Sequence, residues 1–233
     1  MKVIIAGVTG RAGREALKSC LDNDRITKLV VLTRKGLSGE IESHPKVDLV
    51  LHQDFTQYSE YLIQRLQGAE ACIWAIGPRP EDDKNTLRSV GVDLPIAAAQ
   101  VLCDKLANRI PAGVKFRFVY CSSKHTEKSK KTLMFTTDTR KLANDLEKGI
   151  ANIVTRNKDI FEAYTLRPAT FAAINAATQP DAAPASKKLV GGLGHGPTTV
   201  IEPSRVGRAM AVVASDGWKE KTVENEAIIK LSN

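Results

Sequence analysis

Short hydrophobic runs alternate with longer amphipathic stretches along most of this chain. The runs are rich in valine, isoleucine and leucine, and they fall at residues 3–6, 29–33, 49–52, 71–76, 116–121, 164–166 and 227–231. They are continuous rather than interrupted by polar residues, which is typical of strands that are buried on both faces, as in a parallel sheet. We therefore predict β-strands at these positions.

The stretches between the runs predict helices at residues 14–23, 58–66, 94–107, 140–154 and 206–214. The clearest is 94–107, which has Pro95 near its start and apolar residues at helical spacing. Alternating strands and helices indicate right-handed crossover units and hence an α/β fold built on a doubly wound parallel sheet. With 233 residues and no internal repeat, residues 1–233 are expected to form a single domain.

The composition changes at residues 175–197, where alanine, proline and glycine dominate. This composition predicts a flexible loop rather than a core element. The loop would leave the end of the sixth strand, on the side where ligands bind in such sheets. Two interpretations are open, a lid that covers a substrate and a passive excursion of the chain.

Composition and charge limit the classes of partner. The chain is 42% hydrophobic and 26% charged, and its apolar runs are far shorter than the ~20 residues of a membrane span, so we expect a soluble cytoplasmic protein without a membrane partner. Its net charge of +8 is compatible with binding to nucleic acid. However, the densest basic stretch, 124–131, contains no aromatic residue that could stack on bases, so we expect no nucleic-acid partner. The four cysteines lack metal-ligand spacing, which favours buried thiols and no metal.

The strongest motif follows the first predicted strand and reads Gly7-Val8-Thr9-Gly10-Arg11-Ala12-Gly13. Three glycines at this spacing between a strand and a helix are typical of a dinucleotide-binding turn. The first permits the tight turn, the second lets the backbone approach a diphosphate, and the third allows the helix to pack against the strand. The motif therefore predicts a Rossmann fold that binds a dinucleotide at residues 7–13.

The end of the second predicted strand indicates which dinucleotide. An acidic residue at this point would bind the ribose 2′-hydroxyl of NAD, whereas a basic residue accommodates the 2′-phosphate of NADP. The chain has Arg34 and Lys35 here, and Arg11 could meet the same phosphate from the glycine loop. We predict NADP(H) as the cofactor; the alternative is that these are two surface cations at a strand end.

Taken in order, the motifs resemble those of atypical short-chain dehydrogenases/reductases, close to the NmrA-like and related NAD(P)-binding proteins, over nearly the whole chain. Besides the glycine loop, the matching motifs are Asp54-Phe55, Ala75-Ile76-Gly77, Ser122-Ser123, Leu166-Arg167-Pro168 and the helix start at 204–209. The resemblance implies that Asp54 and Phe55 contact adenine and that Ala75, Ile76 and Gly77 lie beside the cofactor ribose. It also implies an active-site role for Ser122 and a path past the nicotinamide at Pro168.

The chain departs from this family at the proton relay. Members that transfer hydride commonly carry Tyr-x-x-x-Lys, but here Thr137 stands four residues before Lys141, and no tyrosine occurs between Tyr120 and Tyr164. A threonine hydroxyl does not ionise near neutral pH and is a poor general acid. The remaining candidates are Ser122 and His125, whose imidazole exchanges protons near neutral pH, with Lys141 holding the ribose as the resemblance suggests.

Three functions are compatible with these features. The first is an NADPH-dependent oxidoreductase that acts on a small organic molecule. The second is a non-redox isomerase or cyclase on the same scaffold, and the third is a non-catalytic NADP-binding sensor or regulatory protein. We expect a monomer or homodimer. The other histidines, His44, His52 and His195, have no neighbours at ligand spacing and receive no role.

Overall fold

The computed structural model describes residues 1–79, 81–111, 113–122, 133–171 and 200–233, with the backbone alone at 133–139. The strands are β1 (Lys2–Ala6), β2 (Lys28–Thr33), β3 (Val47–Leu51), β4 (Ala69–Trp74), β5 (Phe116–Cys121), β6 (Phe161–Arg167), β7 (Thr170–Phe171), β8 (Val200–Ile201) and β9 (Thr222–Glu224). Within the described ranges, seven strands form one sheet in the order β3-β2-β1-β4-β5-β6-β9, and all neighbouring pairs are parallel. The predicted α/β class with a parallel sheet is confirmed.

Helices cover both faces of this sheet. They are α1 (Arg11–Asp22), α2 (Gly39–Glu42), α3 (Glu60–Leu66), α4 (Lys84–Arg88), α5 (Leu94–Lys105), α6 (Leu133–Arg156), α7 (Pro203–Asp216) and α8 (Asn225–Leu231), with a π-helical turn at Ser89–Asp93 and a 3₁₀ turn at Ala107–Arg109. Apolar residues of α3, α5 and α6 pack on one face. Those of α1, α7 and α8 pack on the other, so the sheet is doubly wound.

The central strands explain why the hydrophobic runs are continuous. In β1, Val3 and Ile5 belong to the core under α1 and α7, whereas Ile4 and Ala6 belong to the core under α3 and α5. All four side chains are fully buried. Because both faces of the strand are covered, neither set of alternate positions tolerates polar residues.

The predicted strand at 227–231 is wrong. These residues lie in α8, where Ile228 is fully buried against the core under α7. The last strand of the sheet is instead β9, which pairs with β6 and contains Val223 as its buried aliphatic residue. A short apolar run does not distinguish a strand from a buried helix, and the neighbouring α7 decides between them here.

Several predictions concern features that the structure reports only in part. The loop predicted at 175–197 lies outside the described residues; before it and after it, β7 and β8 pair in parallel. Among the described helices, none is long and apolar enough to cross a membrane. Buried free thiols are confirmed at Cys20, Cys72 and Cys103, and burial raises the pKa of Cys20 to about 12 and that of Cys103 to about 11.

Candidate functional site

The glycine loop packs directly against the backbone that follows β4. Gly7 has a φ of +89°, and a Cβ atom there would overlap the carbonyl of Ala75 and lie 2.6 Å from the nitrogen of Ile76. A Cβ atom on Gly13 would overlap the carbonyl of Gly7 and approach the Ala75 side chain to 3.1 Å. Only glycine fits at Gly7 and Gly13, so these two residues are required by the fold of the loop itself.

Gly10 has more room than the other two glycines. A Cβ atom at Gly10 would lie 3.3 Å from the carbonyl oxygen of Gly7 and 3.9 Å from that of Ala75. Its backbone is extended, and it precedes α1 as the N-cap residue without a side-chain hydrogen bond. The first amide groups of α1 therefore have no side-chain cap from Gly10, an arrangement that suits an anion at the start of the helix.

The loop lies at the point where the strand order reverses. In the sheet, β1 stands between β2 and β4, and the helix after β1 covers one face whereas α5, after β4, covers the other. The two connections therefore leave in opposite directions and open a crevice at the carboxyl edge, where doubly wound sheets bind ligands. Gly7 packs against Ala75 and Ile76 at this edge, and a Cβ atom at Gly77 would meet nothing within 4 Å.

The end of β2 presents two basic side chains. Arg34 and Lys35 are exposed, and the hydroxyl of Thr33 donates to the carbonyl of Lys35 at 2.9 Å, which fixes the turn. The Nε2 of Gln53 donates to the carbonyl of Arg34 at 2.7 Å and so joins this turn to the segment after β3. The carboxylate of Glu42 accepts from the amide of Leu37 at 2.6 Å, a contact within the same connection.

The side chain of Arg11 extends toward the β6 side of β1, away from β2. Its guanidinium carbon lies 4.8 Å from the ring centroid of Phe171, which belongs to β7 just beyond β6. In the sheet, β6 and β2 lie on opposite sides of β1. The structure thus brings Arg11 to Phe171, whereas the sequence led us to expect it opposite Arg34.

Asp54 borders a surface pocket of 340 Å³, which is lined by His52, Asp54, Gln57, Tyr58 and Ser59. The Oδ1 atom of Asp54 accepts from the amide of Thr56 at 2.8 Å and from its hydroxyl at 2.6 Å. These two hydrogen bonds lower the pKa of Asp54 and keep it an anionic acceptor. The neighbouring Phe55 is buried, and its ring packs edge-on against Trp74, so it supports the pocket from within the core.

His52, to which the sequence analysis assigned no role, also lines this pocket. Its ring lies 4.7 Å from that of Phe55 and 5.4 Å from that of Tyr58, and burial lowers its pKa. The buried atoms His52 Nε2, Tyr58 Oη and Trp74 Nε1 have no hydrogen-bond partner among the described residues. The only sequence signal was the place of His52 two residues before Asp54.

Of the predicted catalytic residues, the structure places two. Ser122 is buried at the end of β5, and its amide donates to the carbonyl of Leu166 in β6 at 2.9 Å. Lys141 is exposed on α6. His125, Ser123 and Lys124 lie outside the described residues, and the side chain of Thr137 is likewise not described.

Tyr120 does not replace the missing tyrosine. Its hydroxyl accepts from that of Thr165 at 2.6 Å, and both side chains are buried. Burial is the main cause that raises the pKa of Tyr120 to about 12. This phenol is a core hydrogen-bonding group rather than a proton donor to a substrate.

The Arg-Pro motif anchors three elements at the carboxyl edge. Arg167 at the end of β6 forms a bidentate ion pair with Glu147 of α6, with distances of 3.0 and 2.5 Å, and a second pair with Glu224 of β9 at 3.1 Å. These contacts raise the pKa of Arg167. Pro168, the next residue, is buried. Arg167 therefore fixes the position of α6, the helix that carries Lys141.

Comparison with known proteins finds a curated relative that matches part of the chain and solved structures that share its fold. No family profile matches the chain. A segment of 123 residues is 32% identical to the leucinostatins biosynthesis cluster protein T of Purpureocillium lilacinum, and the match covers 52% of this chain and 42% of that protein. The chain thus matches less than half of the length of this curated relative.

Solved structures match the chain more completely. Gre2 of Candida albicans, in complex with NADPH, aligns with a TM-score of 0.64 and 13% identity over 96% of this chain and 77% of its own. MoeE5, in complex with UDP-glucose and NAD, aligns with a TM-score of 0.67 and 14% identity over 96% and 75%. A protein of Corynebacterium glutamicum assigned to the short-chain dehydrogenases/reductases aligns with a TM-score of 0.61 and 13% identity over 96% and 98%. The chain shares the Rossmann-like α/β fold of these structures. The resemblance inferred from its motifs is confirmed at the level of the fold.

Proposed function

We propose that this chain binds NADP(H) at the glycine loop and acts as an oxidoreductase on a small organic molecule. The observation that carries the proposal is the fit of Gly7 and Gly13 against each other and against the backbone after β4, at the reversal of the strand order. In sheets of this kind, that crevice receives the diphosphate of a dinucleotide. NADPH and NAD are the ligands named for the compared Gre2 and MoeE5 structures, respectively.

The adenosine half of the cofactor would extend toward β2 and β3. Arg34 and Lys35 would bind the 2′-phosphate, because both are exposed at the end of β2. Asp54 would accept a hydrogen bond from the exocyclic amine of adenine, since its lowered pKa keeps it ionised. The backbone at Ala75 and Ile76, after β4, packs against Gly7 on the other side of the glycine loop from β2.

The reaction needs a proton as well as a hydride. When bound, NADPH supplies the hydride. We assign the orientation of the substrate oxygen to Ser122, because β5 ends at the same edge of the sheet as the glycine loop. Proton donation falls to His125, or to a water molecule, and Lys141 would hold the ribose; the assignment to His125 rests on the sequence.

A non-catalytic NADP-binding protein is the second candidate. One observation favours it: Tyr120 is buried in the core, and the sequence has no further tyrosine before Tyr164. A non-redox isomerase or cyclase would share the same cofactor site, so cofactor binding is common to all three functions. Turnover of NADPH separates the first function from the other two.

Cofactor preference tests the assignment of the 2′-phosphate site. We expect calorimetric titration to show tighter binding of NADPH than of NADH. The Arg34→Glu variant should lose this preference through a fall of about tenfold or more in NADPH affinity, as expected for loss of a charge-assisted phosphate contact. Arg156→Glu changes the charge equally on an exposed residue at the far end of α6 and should leave the preference intact. Equal affinity of the wild type for the two cofactors would refute this assignment.

A further inference from the structure

The sheet has a free edge at β3. Among the described residues, β2 is the one strand that pairs with β3, with Leu29 opposite Val47 and Thr33 opposite Leu51. Backbone groups on the outer side of such a strand are open to a further strand, including the same strand of a second molecule. Four of the five residues of β3 are aliphatic, so the composition of the strand does not oppose such pairing.

The ladder with β2 shows which groups of β3 face outward. The amide of His52, directly after β3, donates to the carbonyl of Thr33 at the end of β2 at 2.8 Å. In a parallel ladder, alternate residues turn both their N–H and their C=O toward the same neighbour. The even-numbered residues of β3 therefore face β2, and the backbone groups of Val47, Leu49 and Leu51 face outward.

Arg65 of α3 lies at the middle of this outer edge. Its Nη2 atom donates to the carbonyl of Leu49 at 3.4 Å and forms an ion pair with Oδ1 of Asp48 in the same strand. The end of α3 is held in turn by Lys2, whose Nζ donates to the carbonyls of Arg65 and Gln67 at 2.7 Å each. A charged guanidinium is thus fixed at the central outward carbonyl of the strand.

The rest of the outer edge is apolar and open. Within the described part of the chain, no strand pairs with the outward amide of Leu49 or with the outward amide and carbonyl of Leu51. The side chain of Leu51 is 62% exposed. Tyr61, one turn before Arg65 on the same side of α3, is 68% exposed. Free backbone groups beside exposed apolar side chains favour pairing with another strand.

A second copy of the chain would need the carbonyl that Arg65 holds. In a symmetric antiparallel pair of β3 strands centred on Leu49, the amide of each Leu49 donates to the carbonyl of the other, and Leu51 stands opposite Val47 of the second copy. This register brings together the outward groups of both strands. Both guanidinium groups would have to leave the Leu49 carbonyls before the strands could pair.

We propose that Arg65, held by Asp48, closes the free edge of β3 to a second copy of this chain. The guanidinium takes the hydrogen-bond acceptor that the second strand needs, and it adds a charge that pairing would bury. This device is independent of the proposed function, because no residue of the glycine loop takes part in it.

Sedimentation of the full chain over a wide concentration range tests the role of Arg65. We expect Arg65→Ala to self-associate about tenfold or more tightly than wild type, because pairing no longer displaces a charge-assisted hydrogen bond. Arg65→Lys keeps a charge at the edge and should behave like wild type. Arg88→Ala is the matched control: it removes an arginine that pairs with Asp145 of α6, away from β3, and should not change the association state.

Two measurements show whether the association uses β3. In Arg65→Ala, amide hydrogen exchange at Leu49 and Leu51 should slow about tenfold or more as concentration rises, because both amides gain a partner only in the paired state. Adding Leu51→Lys to Arg65→Ala should restore the wild-type state, since a charge at this exposed position opposes pairing. Should Arg65→Ala fail to fold, Asp48→Asn frees the guanidinium from its anchor and should strengthen association about threefold.

Three outcomes would overturn the proposal. The first is a folded Arg65→Ala with the association state of wild type at every concentration. The second is association that leaves the Leu49 and Leu51 amides exchanging as in wild type, or that survives Leu51→Lys. The third is a wild-type protein that self-associates and loses this association on Leu51→Lys, because its edge is then already open. If the wild type is a dimer through another surface, Arg65→Ala should add a further association step with the same dependence on Leu51.

Discussion

Ser122 and Thr137 are the two hydroxyl residues that compete for a part in proton delivery. Ser122 lies at the end of β5, next to β6, at the edge where the glycine loop opens. We expect Ser122→Ala to lower turnover about 100-fold and to leave NADPH affinity nearly unchanged, because loss of a group that positions the substrate oxygen costs about this much. Thr137→Val should have little effect. Steady-state rates with a panel of carbonyl and enone compounds, followed by NADPH absorbance, provide the measurement.

Two results would change this assignment. A large loss of turnover in Thr137→Val with normal turnover in Ser122→Ala would place the proton path on α6. If no compound of a broad panel oxidises NADPH while cofactor binding is tight, the non-catalytic function becomes the better account.

At the scale of single residues, local steric demands were predictable and long-range contacts were not. The spacing of Gly7, Gly10 and Gly13 predicts the loop because Gly7 and Gly13 each meet a local steric requirement of the turn. The contact of Arg11 with Phe171 depends on the position of β7, the strand that follows β6. No local sequence pattern specifies this position. His52 received no role from the sequence for the same reason, since its ring is placed by packing against Phe55 and Tyr58.

At the scale of elements, hydrophobic runs located the strands of the sheet except the last. Residues 227–231 form α8 because α7 covers their apolar face, and a run of this length satisfies either structure. The short helices α2 and α4 were not predicted because neither contains a buried residue, so neither has a hydrophobic periodicity to detect. Capping groups such as Asp83, which accepts from two amides at the start of α4, were the available signal.

The ion pairs of Arg167 join α6 to β6 and β9, and we expect them to contribute to the free energy of unfolding. Arg167→Ala leaves the partly buried carboxylate of Glu147 without its bidentate partner, and we expect a loss of about 1–3 kcal/mol in the free energy of unfolding. Arg167→Lys should retain about half of this contribution, because a lysine does not form the planar double contact. Urea unfolding measures both changes.

A surface ion pair on the same helix serves as the control. Arg88 contacts Asp145 of α6 at 3.1 Å, and about half of the Arg88 side chain is exposed. Arg88→Ala should therefore cost no more than about 1 kcal/mol. Equal losses in Arg88→Ala and Arg167→Ala would show that Arg167 has no special part in anchoring α6.

At the scale of the whole molecule, the alternation of strands and helices was enough to predict a doubly wound sheet. The order β3-β2-β1-β4-β5-β6 follows from right-handed crossovers that change direction once, between β1 and β4. Tight packing of α7 on α1, where a Cβ atom at Gly207 would overlap the backbone of Glu15 and Ala16, was not foreseen, since it joins segments distant in sequence. The position of the candidate site, in contrast, follows directly from the topology.

Binding of NADPH to a Gly10→Val variant tests the dinucleotide site most directly. Gly10 is the loop glycine with the most room, because a Cβ atom there would lie 3.3 Å from the carbonyl oxygen of Gly7 and overlap nothing outright, so a small shift should let the chain fold while the larger side chain occupies the space that the diphosphate needs. Gly39→Val is the matched control, because a Cβ atom at Gly39 has no neighbour within 4 Å. In calorimetric titrations, we expect wild type and Gly39→Val to bind NADPH with similar affinity and Gly10→Val, with an unchanged melting temperature, to show no binding. Normal binding of NADPH by Gly10→Val would mean that residues 7–13 form only a turn.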